Sequence, residues 1–154
     1  MLQLFFFYYG LPFLPGIGQY LRLSSFAAAA LSFTLNYAAY FAEIFRGGLL
    51  SIDRGQYEVS HVLGLTSFQT MTRIIIPQMI RVTLPSIGNE AITLVKDTAL
   101  VASIALPELL HYAKGIVTRD FTTTPFIVAA FIYLLITFVV TVLFKFAERK
   151  TNYE

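Results

Sequence analysis

One polar stretch decides how this chain folds: Tyr57-Glu58-Val59-Ser60-His61-Val62-Leu63-Gly64, continued after nine residues by Ile74-Ile75-Ile76-Pro77. Glu58 is followed by a glycine six residues later, an isoleucine ten after that and a proline three further on. The loop that contains this pattern carries four arginines and lies between strongly apolar segments. A patterned polar loop in an apolar chain predicts a docking surface rather than a simple connection.

The start of this loop carries the signals of a short helix. Asp53 is a good N-cap residue, and Gln56 is placed three residues later as its reciprocal partner. The helix is predicted to run from about Arg54 to Leu63. Gly64 is expected to end it, because the residue after a helix commonly takes a positive φ.

A second helix is predicted directly afterwards. Thr66 and Gln69 form a capping-box pattern, and the helix is expected to run to about Ile76, where Pro77 breaks or kinks it. The exposed side of the resulting elbow should carry Tyr57, Glu58, His61 and Leu65. An ordinary amphipathic hairpin at the membrane surface is the competing interpretation.

The composition predicts an all-α, polytopic membrane protein. Mean hydropathy is +0.68, and 56% of residues are hydrophobic. Charged residues make up 13%, about half of the roughly 25% found in soluble proteins. The formal charge of +2 is too small to predict nucleic-acid binding, and the lack of cysteine excludes disulfides and thiolate chemistry.

Four apolar segments predict about three and a half membrane spans. They lie at about 1–11, 24–45, 84–106 and 126–146. The three longer segments can cross ~30 Å of hydrocarbon at ~1.5 Å per residue, whereas the first reaches only ~17 Å. The chain is therefore expected to begin inside a helix.

The placement of basic residues predicts the orientation in the membrane. They are concentrated in the loop 46–81 and around the tail 150–154: Arg46, Arg54, Arg73, Arg81, Lys145, Arg149 and Lys150. Lys and Arg favour the cytoplasmic side, so the loop and the C-terminus should both be cytoplasmic. The segment 111–119 should be an external loop.

Each long apolar segment also carries a polar stripe at helical spacing, which predicts a shared wet interior. The candidate pathway residues are Asn36, Tyr40, Glu43, Asn89, Glu90, Thr93, Lys96, Asp97 and Thr98. Lys96 and Asp97 each cost ~2.5–3.5 kcal/mol at a helix centre and cannot pair cleanly as neighbours. Glu90 or Glu43 could pair with Lys96. The charges are either a structural network or a site on a solute pathway.

The spaced pattern resembles the EAA loop of membrane subunits of binding-protein-dependent ABC importers. The family pattern is Glu-Ala-Ala, three residues, Gly, nine residues, Ile-x-Leu-Pro, and this chain matches it at Glu58, Gly64, Ile74 and Pro77. The chain has Val59-Ser60 where the family has two alanines, and Ile76 where the family has leucine. Both differences are conservative in size. The loop identifies only the importer class.

Further motifs are similar to the branch that transports polar amino acids, the permeases for His, Gln, Glu, Arg or opine-type substrates. They are Glu43-Ile44-Phe45-Arg46-Gly47-Gly48, Gly55-Gln56-Tyr57-Glu58, Gly88-Asn89-Glu90 and Lys96-Asp97-Thr98. Asp53 stands where that branch often has proline. The resemblance covers nearly the whole chain, from Leu2 to Arg149.

The resemblance implies that residues 1–149 form a type I ABC importer transmembrane domain in the bacterial cytoplasmic (inner) membrane. The loop helix would be a coupling helix that docks on a cytoplasmic ATPase. The implied coupling residues are Gln56, Tyr57, Glu58, His61, Gly64, Leu65 and Pro77. The implied partners are an ABC ATPase dimer, a second permease subunit in a homo- or heterodimer, an extracytoplasmic solute-binding protein and the lipid bilayer.

No cofactor or catalytic residue is expected on this chain. ATP and Mg should bind the partner, since the sequence lacks a Gly-x-x-x-x-Gly-Lys-Ser/Thr motif. The pair Glu58-x-x-His61 is half of a metal motif, but His111 is expected on the opposite side, so metal binding is disfavoured. An intramembrane enzyme using Asp97 and His61 is disfavoured because their depths differ.

The resemblance also implies that a full-length relative has one more span before the position of Met1. Two other functions compete with that of an amino acid permease. One is a truncated remnant that inserts in the membrane but cannot assemble. The other is a permease for a different small polar solute.

Overall fold

The structure is a computed structural model that describes residues 2–151, and those residues form helices and turns without a strand. The helices are α1 (Leu2–Phe13), α2 (Ser25–Leu50), α3 (Arg54–Val62), α4 (Ser67–Thr70), α5 (Ile76–Asp97), α6 (Leu109–Asp120) and α7 (Thr124–Thr151). The predicted all-α class is confirmed. The predicted tail residues after 151 lie outside the described part of the chain.

Two compact units make up the fold. The first comprises residues 1–38 and 92–139, and the second comprises residues 39–91 and 140–154. The core of the first unit is a buried cluster of Leu4, Ala29, Val101 and Ile104. In the same unit, the Ser25 hydroxyl donates to the Ile104 carbonyl at 3.1 Å, so the start of α2 is fixed to the turn that follows α5.

Two glycines allow close helix packing in the second unit. Gly48 of α2 faces Thr83 and Met79 of α5, and Gly88 of α5 faces the ring of Phe144 on α7. A Cβ atom at Gly88 would lie 3.0 Å from two atoms of that ring. The absence of a side chain therefore lets the helices approach more closely than larger residues would permit.

The helix does not break at Pro77, and the kink given as the alternative stays a prediction. The helical path continues from α4 through a π-helical turn, Met71–Ile75, into α5, of which Pro77 is the second residue. Pro77 follows directly on the π-helical turn, in which the Ile76 amide donates to the Met71 carbonyl five residues earlier, and a proline in the first turn of an α-helix is tolerated. The π-helical turn before Pro77 leads directly into α5, so the helix is not interrupted there.

The segment 111–119, predicted as a loop, is helical and lies within α6, whereas its position outside the membrane stays a prediction. After α5, a 3-10 helix, Thr98–Ile104, leads to Ala105, which takes a left-handed conformation with φ 55°. Glu108 then begins α6.

One helix of the described chain is long and apolar enough to cross a membrane by composition alone. It spans Thr124–Lys150, with a mean hydropathy of 2.8 in its most apolar window. The segment at 1–11 lies in a shorter apolar helix, Leu2–Phe13, and the spans predicted at 24–45 and 84–106 remain predictions that rest on the sequence pattern.

Candidate functional site

The predicted coupling helix is present as α3, and its start is built by one carboxylate. Asp53 Oδ1 accepts a hydrogen bond from the Gly55 amide at 2.6 Å. The reciprocal bond expected from Gln56 is replaced by a tertiary contact, because Gln56 Oε1 accepts from Gln78 Nε2 of α5 at 3.3 Å. The side chain of Gln56 therefore connects α3 to the first turns of α5.

A Schellman motif ends α3. The Gly64 amide donates to the His61 carbonyl, and the Leu65 amide donates to the Ser60 carbonyl, each at 3.0 Å. Gly64 takes φ +71°, the left-handed conformation that a residue with a Cβ rarely adopts. The prediction that Gly64 ends this helix is confirmed.

The second cap is confirmed too. The Gln69 amide donates to Thr66 Oγ1 at 3.3 Å, and the Thr66 amide donates to Gln69 Oε1 at 2.9 Å. The two reciprocal bonds fix the start of α4 directly after the Gly64 turn. Consecutive local caps on α3 and α4 therefore determine the elbow between them.

The elbow has one exposed and one half-buried side. Glu58 and His61 are exposed, as expected, whereas Tyr57 and Leu65 are half-buried. Tyr57 and Leu65 line a cleft of about 160 Å³ between α3 and α4. The other residues that line it are His61, Ser67, Thr70 and Met71. The sequence did not single out Ser60, which is fully buried and donates from its hydroxyl to the Gln56 carbonyl at 2.6 Å.

The candidate pathway residues divide between the two units. Asn36, Thr93, Lys96, Asp97 and Thr98 belong to the first, and Tyr40, Glu43, Asn89 and Glu90 belong to the second. Asn36 and Asp97 line one cavity of about 40 Å³, together with Gln3, Leu4, Ser32, Phe33 and Leu100. The structure therefore brings two of the predicted residues into one small polar site.

Asp97 has a partner that the sequence did not reveal. The Tyr37 hydroxyl donates to Asp97 Oδ2 at 2.9 Å, and Tyr37 is itself buried. The bond joins α2 to the last residue of α5. A phenol is a suitable partner here, because it stabilises a carboxylate without adding a second charge.

The pairing suggested for Lys96 with Glu90 or Glu43 is wrong. Glu43 instead accepts from Arg46 Nη2 at 2.6 Å on the exposed surface of α2. Within residues 2–151 the structure gives Lys96 no ion pair, and its side chain is exposed. The Thr98 hydroxyl donates back to the Val95 carbonyl at 2.7 Å.

Glu108 is a structural residue that the sequence did not indicate. Its carboxylate accepts from the amides of Leu110 and His111 at 2.8 and 2.6 Å, and from the Tyr133 hydroxyl at 2.7 Å. It therefore caps the N-terminus of α6 and ties that end to α7. Tyr133, Thr137 and Thr141 form the polar stripe of the last apolar segment, and this stripe was the signal in the sequence that could have pointed to the contact.

A family model described as "binding-protein-dependent transport system inner membrane component" matches residues 1–153. The chain belongs to this family, and its fold is that of a type I ABC importer transmembrane domain. The class that the EAA-type loop indicated is thereby confirmed.

Two curated relatives come from Bacillus subtilis (strain 168) and Agrobacterium fabrum (strain C58). The chain is 40% identical over 148 residues to the probable amino-acid ABC transporter permease protein YckA, covering 96% of this chain and 63% of that protein. It is 40% identical to the nopaline transport system permease protein NocM, covering 96% and 64% respectively. The chain thus spans less than two thirds of the length of these relatives.

One solved structure has the same fold. It is described as the crystal structure of an amino acid ABC transporter with histidines, and it superposes with a TM-score of 0.85 at 33% sequence identity. The superposition covers 97% of this chain and 68% of that one. YckA is named as a probable amino-acid ABC transporter permease and the solved structure as an amino acid ABC transporter, which is the class that the sequence motifs indicated.

Proposed function

We propose that this chain is the permease subunit of an ABC importer that carries a polar amino acid across the cytoplasmic membrane. The observation that carries the proposal is the elbow of α3 and α4, with Glu58 and His61 exposed on a helix closed by Gly64. The resemblance of its sequence to the EAA loop supports its role as the coupling loop. Relatives named as permeases for nopaline, octopine and arginine support the substrate class.

In this proposal α3 docks on a cytoplasmic ATPase, which binds ATP and Mg. A rigid docking element needs fixed ends, and the Asp53 cap and the Gly64 turn provide them. The Gln56–Gln78 hydrogen bond links α3 to the start of α5. A displacement of α3 would then be passed to α5, a helix of 22 residues and about 33 Å.

The far end of α5 carries Asp97, beside the small polar cavity. Motion of α5 would change the surroundings of this carboxylate and its bond to Tyr37. This links ATP hydrolysis to a polar solute without any catalytic group on the chain. A second permease subunit and an extracytoplasmic solute-binding protein would complete the importer, with the C-terminus and the coupling loop in the cytoplasm.

Uptake measurements test the coupling role. In cells that express the native partners, Glu58→Lys and Gly64→Asp should each reduce uptake of labelled amino acid at least about tenfold. The first reverses a charge on the docking surface, and the second adds a negatively charged side chain to the turn that ends α3. Resistance to alkaline extraction should remain unchanged, which separates coupling from membrane insertion.

Two variants provide matched controls. Gly16 also has a positive φ, +86°, and open space around it, but it lies outside the coupling segment, so Gly16→Asp should retain uptake. Glu58→Gln keeps the shape of the side chain and should have a smaller effect than Glu58→Lys. Normal uptake by both Glu58→Lys and Gly64→Asp would contradict the coupling role.

A further inference from the structure

The C-terminal end of α7 carries a groove that combines cations with apolar side chains. It has a volume of about 250 Å³ and is lined by Val142, Lys145, Phe146 and Arg149. Both cationic side chains are exposed, and Phe146 is 70% exposed. None of these residues belongs to the coupling elbow or to the polar cavity.

Helical geometry places the four groove residues on one face. At about 100° per residue they fall within an arc of roughly 100°. Phe144, which packs against Gly88, points about 150° away from the middle of that arc. The groove therefore faces away from the contact between α7 and α5, on the side that this packing leaves open.

The charges on this face favour an anionic ligand. In the described chain, neither Lys145 nor Arg149 forms an ion pair. Glu148, the nearby acidic residue on α7, lies about 110° from the middle of the groove and is half-buried. Favourable interaction with the helix dipole explains cations at a helix C-terminus. It does not explain two cations in register with two exposed apolar side chains.

We propose that this groove binds one anionic phospholipid of the leaflet that the C-terminus faces. The phosphate would lie between Lys145 and Arg149, and an acyl chain would lie along Val142 and Phe146. The arrangement suits a phospholipid rather than a soluble anion, because half of the lining is apolar and belongs to the end of the membrane-spanning helix. Basic pockets beside membrane helices bind anionic headgroups by this chemistry.

Lipid-specific quenching of a single tryptophan tests the site, since the native chain contains no tryptophan. The full chain with Phe146→Trp is reconstituted in vesicles of phosphatidylcholine and phosphatidylglycerol, in which one lipid at a time is brominated. Each cation near anionic lipid contributes roughly a fivefold preference. Quenching should therefore favour phosphatidylglycerol by about fivefold or more.

Leu143→Trp is the matched reporter, because Leu143 is also exposed but lies about 100° from Val142 on the same helix end. At this reporter, the ratio of quenching by brominated phosphatidylglycerol to quenching by brominated phosphatidylcholine should be close to one. Adding Lys145→Gln and Arg149→Gln to Phe146→Trp should abolish the preference, whereas Lys145→Arg with Arg149→Lys should retain it. Val142→Trp serves as a second reporter if Phe146→Trp fails to insert.

Three results would overturn the proposal. Equal preference at both reporters would show general attraction to the membrane surface. No preference at the groove reporter would show ordinary lipid contact. If neither brominated lipid quenches the tryptophan at position 146, protein covers this face.

Discussion

Replacing Gly48 by alanine should destabilise the chain, whereas the same change at its neighbour should not. A Cβ atom at Gly48 would overlap the Thr83 Cγ2 methyl and lie 3.0 Å from Met79 Cγ. Thr83 cannot turn away freely, because its hydroxyl donates to the carbonyls of Met79 and Ile80 at 2.9 and 3.3 Å. At Gly47, by contrast, the added Cβ meets nothing within 4 Å.

The magnitude follows from two opposing effects. Alanine is favoured over glycine in a helix by about 1 kcal/mol, and this gain applies to both variants. Overpacking costs about 1–3 kcal/mol and applies only to Gly48→Ala. The two variants should thus differ by about 2 kcal/mol in free energy of unfolding, or roughly 4–8 °C in Tm for a chain of this size.

The assay is thermal stability of the detergent-solubilised protein, fused to a fluorescent protein and followed by size-exclusion chromatography after heating. Thr83→Ser removes the methyl but keeps the hydroxyl, so it should recover most of the loss when combined with Gly48→Ala. Equal Tm values for Gly47→Ala and Gly48→Ala would refute the packing of α2 on α5. The same holds if Thr83→Ser gives no recovery.

Two further predictions concern single contacts. Tyr133→Phe removes the phenol bonded to Glu108 and should cost about 1.5–3 kcal/mol. The control is Tyr112→Phe, at a residue that is 63% exposed, which should change the free energy of unfolding by less than ~0.5 kcal/mol. Equal losses of stability for Tyr133→Phe and Tyr112→Phe in thermal denaturation would contradict the role of the bond to Glu108. Gly64→Ala should cost about 1–2 kcal/mol because φ is +71°, whereas Gly64→Asn should cost less. Limited proteolysis of the loop should follow that order, and an inverted order would count against the left-handed turn.

The coupling elbow could be predicted from sequence because its determinants are local. The Asp53 cap, the Thr66–Gln69 box and the Gly64 turn each involve residues within a few positions of one another. Such contacts depend on side-chain chemistry and backbone conformation, which the sequence states directly. The same locality accounts for the accurate bounds of α3.

The path through Pro77 could not be predicted by the same local rule. Proline disrupts a helix when it removes an internal hydrogen bond, but whether the bond is internal depends on where the preceding turn lies. Here a π-helical turn, Met71–Ile75, precedes α5, so Pro77 stands where the π-helical pattern of hydrogen bonds changes to the α-helical one. The register of that turn is a property of the folded chain.

Tertiary partners were likewise beyond the sequence pattern. The cost of burying a charge predicted that Asp97 needs a partner, but Tyr37 lies 60 residues away. Glu108 was missed because glutamate is not among the preferred N-cap residues. Its phenol partner, Tyr133, is 25 residues further along the chain.

The most direct test of the central claim is the ATPase activity of the complex that co-purifies with this chain from its native membrane. The complex is reconstituted in nanodiscs with its solute-binding protein, and individual amino acids are added. We expect that an ABC ATPase co-purifies and that a polar amino acid stimulates ATP hydrolysis, with loss of this stimulation in Gly64→Asp. A chain that inserts stably but retains no ATPase would contradict it and favour the assembly-incompetent remnant.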